Sequence, residues 1–153
     1  MVKHLFLFLI LIVSSATHAE TVSSIEPNEV VCLAQAVYFE ANGASEKMQH
    51  AVANVIINRT QDPKFPNTIC GVVHQRTSYT CQFSWYCTKY KIKYVSRWTS
   101  SLITAFGVLR TRQLDNSNDF TDGSIYFHDT SVQPEWSQQL TEMLRINNLV
   151  FYK

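Results

Sequence analysis

Glycine and proline are scarce, at four each in 153 residues, and charged residues make up only 16% of the chain. The first scarcity excludes collagen-like and Gly/Pro-rich low-complexity sequences, and the second excludes a disordered polyelectrolyte or a charge-laced coiled coil. A dominant charge is missing too: 13 Lys and Arg stand against 12 Asp and Glu, for a net charge of +1. A chain held mainly by nucleic-acid phosphates needs a basic excess, so no nucleic-acid partner is expected. No apolar run approaches the ~20 residues of a membrane-spanning helix. What is present, 46% hydrophobic and 12% aromatic residues, describes one globular domain, expected to be a monomer.

The longest apolar run, Leu5 to Val13, covers nine residues. It follows Lys3 and precedes Ser14-Ser15-Ala16-Thr17-His18-Ala19, the layout of a secretory signal peptide cleaved after Ala19. The expected organisation is a signal peptide over 1–19 and a single domain over 20–153, exported to the periplasm or the extracellular space and without a membrane anchor after cleavage. Export makes the four cysteines, Cys32, Cys70, Cys81 and Cys87, candidates for two disulfides. Three pairings are possible. The short spacing favours Cys81 with Cys87, which leaves Cys32 with Cys70. There is no C-x2-C pair, and His50, His74 and His128 fall at no ligand spacing, so neither a metal nor a cofactor is expected.

Apolar spacing predicts a helix over Val30 to Ala41, with Val30, Leu33, Ala34, Val37 and Tyr38 on one face and Asn42-Gly43 as its stop. A second helix is predicted from the N-cap Ser45 to about Arg59, burying Met48, Ala51, Val52, Val55 and Ile56. Two prolines make Asp62 to Asn67 a loop. Thr68 to Gln75 fits a short helix or a strand. Gln82 to Tyr86, aromatic and flanked by cysteines, reads as a strand or hairpin segment. Trp98 to Leu109 has helical spacing, Ser124 to His128 looks like a strand after the Asp122-Gly123 turn, and Leu149 to Tyr152 is a candidate terminal strand. Helices first and short strands later imply an α+β domain.

The balanced charge is unevenly distributed. Arg76 to Arg112 contains seven basic residues and no acidic one, whereas Asp115 to Glu142 contains six acidic residues and no basic one. Such a run is either a solvated face or a basic rim that steers an anionic polymer. Among the acids Glu40 stands out, because it lies near the C-terminal end of the first predicted helix, in Tyr38-Phe39-Glu40-Ala41-Asn42. The helix dipole and aromatic neighbours both disfavour its charged form, which suits a general acid working near neutral pH.

The run Cys32-Leu33-Ala34-Gln35-Ala36-Val37-Tyr38-Phe39-Glu40-Ala41-Asn42-Gly43, followed by Gln49-His50-Ala51-Val52-Ala53-Asn54-Val55-Ile56-Ile57-Asn58-Arg59, resembles the spore-cortex-lytic (SleB/CwlJ-type) cell-wall hydrolases. The resemblance continues through Phe65 to Gln75, Cys81-Gln82-Phe83-Ser84-Trp85, Tyr126-Phe127-His128 with Pro134-Glu135-Trp136, and Val150-Phe151-Tyr152, in the family's order. The chain departs from the family pattern at Asn42, where Arg is usual, and at Lys47 and Met48, where an acid and Gly are common. The resemblance implies a lysozyme-like α+β catalytic domain acting on peptidoglycan glycan strands, with Glu40 as its catalytic glutamate.

Glycoside hydrolysis ordinarily uses two carboxyl groups. No second acid in the matched segments is an evident partner for Glu40, and Glu46 is expected on the solvent side of the second helix. One acid suffices when the C6 hydroxyl of N-acetylmuramic acid supplies the nucleophile, so lytic transglycosylation is the favoured reading. Hydrolysis with Asp119, Asp122 or Asp129 as second carboxylate is the alternative, and a non-catalytic peptidoglycan-binding module is a third reading. Gln82, Ser84 and Trp85, and again Tyr126, His128 and Trp136, offer the aromatic and polar surfaces that sugar binding needs. For Trp85 and Trp136 core packing is an equal alternative. Asn58 and Arg59 are expected to tie the second helix to the sheet.

Overall fold

The computed structural model describes residues 24–41 and 43–153, so the expected signal peptide and Asn42 lie outside the described residues. Among the described residues, five helices, α1 (Pro27–Glu40), α2 (Glu46–Gln61), α3 (Ile69–Val73), α4 (Ser84–Thr88) and α5 (Val95–Leu114), precede three strands, β1 (Tyr126–Asp129), β2 (Glu142–Ile146) and β3 (Leu149–Tyr152). A 3-10 turn, Glu135–Gln138, links β1 to β2. The α+β order, helices first, is as expected. None of the described helices is long and apolar enough to cross a membrane.

The second helix is the centre of the molecule. Ten of its 16 residues are buried, from Met48 to Arg59, so it is enclosed on nearly every side. Ser45 caps it by accepting a hydrogen bond from the Met48 amide, a contact worth about 1 kcal/mol in a typical helix. One core, containing Leu33, Val37, Ile56, Val72, Phe83 and Ala105, joins α2 to α1, α3, α4 and α5. Another, containing Val52, Val55, Leu149 and Phe151, joins α2 to the sheet.

The sheet is antiparallel in the order β1-β3-β2, with all four residues of β3 buried. The β2 strand is absent from the sequence reading. It forms an edge with a register shift between Glu142 and Leu144, and only Ile146 is buried. The β2–β3 hairpin turns at Asn147, whose φ is 51°. Asn tolerates this left-handed conformation better than most residues.

Both expected disulfides form, Cys32–Cys70 and Cys81–Cys87. The second one explains a correction to the sequence reading: Ser84–Thr88 is a helix, not a strand. Cys81 and Cys87 have Cα atoms 5.9 Å apart, whereas six residues of extended strand would separate them by roughly 20 Å. Hairpin character is confined to the preceding segment, where Arg76 bridges Cys81 and the Gln82 amide donates to the Gln75 carbonyl. Thr68 to Gln75 resolves as the helical alternative. Glu29 on α1 anchors α3 by accepting hydrogen bonds from the Ile69 and Cys70 amides, at 2.6 Å and 3.4 Å, beside the Cys32–Cys70 bridge.

Candidate active site

Glu40 is the last residue of α1. The helix stops there because the Ala41 amide closes the final turn onto the Val37 carbonyl and the chain reverses through Gly43, whose φ of 76° favours glycine. This places a carboxylate at the negative end of the helix dipole, as the sequence predicts. Glu40 is half-buried. The indole Nε1–H of buried Trp85, on α4, donates to its Oε1 at 2.7 Å. Trp85 is held by stacking on Phe39, with centroids 4.6 Å apart, and on Phe83 at 5.7 Å.

Arg59, near the end of α2, supplies the nearby positive charge. Its guanidinium lies 5.1 Å from the Phe65 ring centroid, 5.7 Å from Phe83 and 6.0 Å from Tyr126. Its Nε donates to the Ile125 carbonyl at 2.7 Å, while its buried Nη1 has no hydrogen-bond partner among the described residues. Burial lowers the Arg59 pKa to about 10, against the opposing pull of Tyr126 and Glu40. Arg59 therefore stays charged at neutral pH. Burial raises the Glu40 pKa, and the Trp85 hydrogen bond and the Arg59 charge offset only part of that rise. The result is a carboxyl that keeps its proton to higher pH than an exposed glutamate.

The predicted sugar-binding residues fall into separate groups. Trp85 contacts the acid directly, while Gln82 and Ser84 are exposed beside it on the same short segment. Tyr126, His128 and Trp136 gather with Tyr152 in an aromatic cluster: Trp136 lies 5.5 Å from Tyr126, 5.6 Å from His128 and 5.5 Å from Tyr152. His128 is fixed between neighbours, with Nδ1 donating to the Asp129 carbonyl at 2.8 Å and Nε2 accepting from the Tyr152 hydroxyl at 3.0 Å. Arg59, close to both Tyr126 and Glu40, links this cluster to the acid.

Of the other candidate carboxylates, Asp119 and Asp129 are held in local hydrogen bonds, while Glu46 and Asp122 are exposed. Glu46 is exposed and lies 3.6 Å from His50. Asp119 accepts from the Asn58 amide at 2.7 Å, the Thr121 hydroxyl at 2.6 Å and the backbone amides of Thr121 and Gly123, both at 2.9 Å. Burial pushes its pKa up, but these donors together hold it below the ordinary aspartate value. Asp129 accepts from the Ser131 amide and the Asn148 side chain, and exposed Asp122 sits at a turn with a φ of 52°. Asn58 and Arg59 are expected to tie α2 to the sheet; their hydrogen bonds run instead to residues 119–125, the loop that leads into β1. The sequence reading gave Arg59 no part in the electrostatics of Glu40. The available signal was a polar Asn58-Arg59 pair ending an otherwise apolar helical run.

The cell wall hydrolase family matches the chain over residues 43–152, beginning just after Glu40. Spore cortex-lytic enzymes are similar over a shorter segment of 53 residues, at 45% identity in Bacillus subtilis and 43% in Halalkalibacterium halodurans. That segment is 35% of this chain and 17% and 16% of those two proteins. Two solved structures share the fold at 24% identity and a TM-score of 0.63. One is the catalytic domain of the germination-specific lytic transglycosylase SleB from Bacillus anthracis, where 85% of this chain covers 98% of that one; the other is the SleB catalytic domain from Bacillus cereus, at 85% and 93%. The match over residues 43–152, on a fold shared with the SleB domains, shows that this chain belongs to the cell wall hydrolase family.

Proposed function

We propose that this protein cleaves the glycan strand of peptidoglycan between N-acetylmuramic acid and N-acetylglucosamine as a lytic transglycosylase, with Glu40 as its single acid and base. The observation that carries this reading is the half-buried Glu40 carboxyl, which accepts from Trp85 and whose pKa burial raises, while Asp119 and Asp129 serve local structure and Asp122 is exposed at a turn.

In the first half-reaction Glu40 gives its proton to the glycosidic oxygen as the bond from that oxygen to C1 of the muramic acid breaks. The departing N-acetylglucosamine leaves with a free hydroxyl. Arg59 and the Trp85 N–H stabilise the carboxylate this creates. In the second half-reaction the carboxylate takes the proton of the muramic acid C6 hydroxyl while the C6 oxygen bonds to C1, closing a 1,6-anhydro ring and regenerating the acid. No water is consumed. Trp85 and the Tyr126–His128–Trp136 cluster supply aromatic surfaces for the sugar rings. The two disulfides support an oxidising compartment, in keeping with export to the wall.

The test is digestion of purified peptidoglycan followed by mass spectrometry of the soluble products. Wild-type protein is expected to release anhydro-muropeptides, and Glu40→Gln is expected to lose about 10²- to 10⁴-fold in rate. Reducing-end products would favour the two-carboxylate hydrolysis. Binding without product would favour a non-catalytic module. Full activity in Glu40→Gln would remove Glu40 from the reaction.

A further inference from the structure

A groove of about 300 Å³ runs beside the acid, lined by Tyr38, Phe39, Tyr90, Lys91, Lys93 and Tyr94. It is built by a chain reversal. Lys89 caps α4 in the left-handed conformation at φ 53°, and the following segment crosses α1, where the buried Tyr38 hydroxyl accepts from the backbone amides of Lys93 and Tyr94 at 3.1 and 3.2 Å. This leaves Tyr90 and Tyr94 exposed at 67% and 53%, two large aromatic rings that the core does not use. The Arg97 guanidinium lies over Tyr94, 4.8 Å from its centroid.

The groove is basic as well as aromatic. Lys91 and Lys93 are exposed and make no ion pair among the described residues, and the sequence from Arg76 to Arg112 contains no acid. Its apolar floor is continuous with the reaction centre. Phe39 precedes Glu40 and stacks on the Trp85 that donates to the Glu40 carboxyl. A ligand fitted to these groups carries anionic groups on a partly apolar backbone and reaches the groove from the sugar whose bond is being broken.

We propose that this groove binds the acidic stem peptide of peptidoglycan, with Lys91 and Lys93 pairing to its carboxylates and Tyr90 and Tyr94 packing on its aliphatic parts. The inference rests on the glycan-cleaving reading of Glu40. The stem peptide hangs from the lactyl group of muramic acid, the same sugar whose C1 is attacked, so covalent connection and charge complementarity point to one occupant. A stripped strand keeps only the lactyl carboxylate beside the sugar ring, whereas the stem peptide carries its own carboxylates away from the sugar and out to the two lysines. The protein is therefore selective for peptide-bearing strands.

Binding tests this without requiring turnover. The full chain carrying Glu40→Gln is titrated calorimetrically with soluble glycan strands, freed of phosphate polymers and released from sacculi by a cross-link-cleaving endopeptidase, either still bearing stem peptides or stripped of them by an amidase. Tighter binding to the peptide-bearing strands, by roughly fivefold, is expected, and adding Lys91→Gln with Lys93→Gln should reduce that preference to near unity. Circular dichroism and the thermal midpoint of the variant confirm its fold. With Glu40 restored, the ratio of initial rates on intact and stripped strands should fall by a similar factor on the lysine substitutions. Equal binding to both kinds of strand, a preference that survives the substitutions, or a lysine effect seen only before the phosphate polymers are removed would overturn the proposal. Failure of wild-type protein to release any product would instead defeat the glycan-cleaving reading, while the titration still judges the groove.

Discussion

Glu40 must hold a proton in the first half of the proposed reaction and lack one in the second, and its neighbours pull in opposite directions. Burial raises its pKa, while the Trp85 N–H and the Arg59 charge lower it. The acid form is lost as pH rises through the shifted value, so kcat/KM is predicted to fall on that limb. Trp85→Phe removes one of the lowering contributions. The descending limb should therefore move to higher pH, measured by clearing of a peptidoglycan suspension across a pH series; an unmoved limb, or one displaced toward acid, contradicts the role given to Trp85. At this scale Glu40 is legible in the sequence through its place at a helix end and the family-like block around it. Arg59 is not, because its effect on Glu40 depends on a distant packing arrangement that brings α2 beside the end of α1 and β1.

The central helix and the 115–124 loop show how elements are joined through polar groups. Asp119 collects donors from Asn58 on α2 and from its own turn, and Arg112 lies 3.6 Å from its carboxylate. Arg112 itself is buried and donates to Asn54, Asn58 and Asn116, so this member of the basic stretch is an internal strut and no part of a steering rim. Asp119→Ala strands several buried or half-buried donors and is predicted to cost about 1–3 kcal/mol, read from the urea midpoint. Because the folded-state pKa of Asp119 lies below 3.8, its charge stabilises the fold above that value and the benefit fades as pH falls through the lowered pKa. The gap between wild type and variant should shrink in acid. The helices α1, α2 and α5 are readable because their apolar residues recur at three and four over long stretches. Ser84–Thr88 is not readable, since five residues are too few to show a period and the aromatic-rich run has strand-like composition. The edge strand β2 escapes notice because little of it is buried.

Across the whole molecule, two covalent ties hold the acid and its partner in place. Cys32–Cys70 joins α1 to α3 across 38 residues, and Cys81–Cys87 closes the short segment that presents Trp85. In the chain-entropy account these loops contribute about 4 and about 2 kcal/mol. Replacing Cys32 and Cys70 by Ser should therefore lower the unfolding free energy more than replacing Cys81 and Cys87, while the second pair of substitutions should reduce activity more at a temperature where both variants stay folded. Two cores meeting on α2 bring the helical half, with Glu40 and Trp85, against the sheet half, with Tyr126, His128 and Trp136. Whether this arrangement performs transglycosylation is decided most directly by digesting peptidoglycan in water enriched in oxygen-18 and weighing the new muramic acid ends. The account predicts anhydro ends without oxygen-18, lost together with activity in Glu40→Gln. Ends carrying one oxygen-18 atom and a mass greater by one water would show that water is the nucleophile and would contradict it.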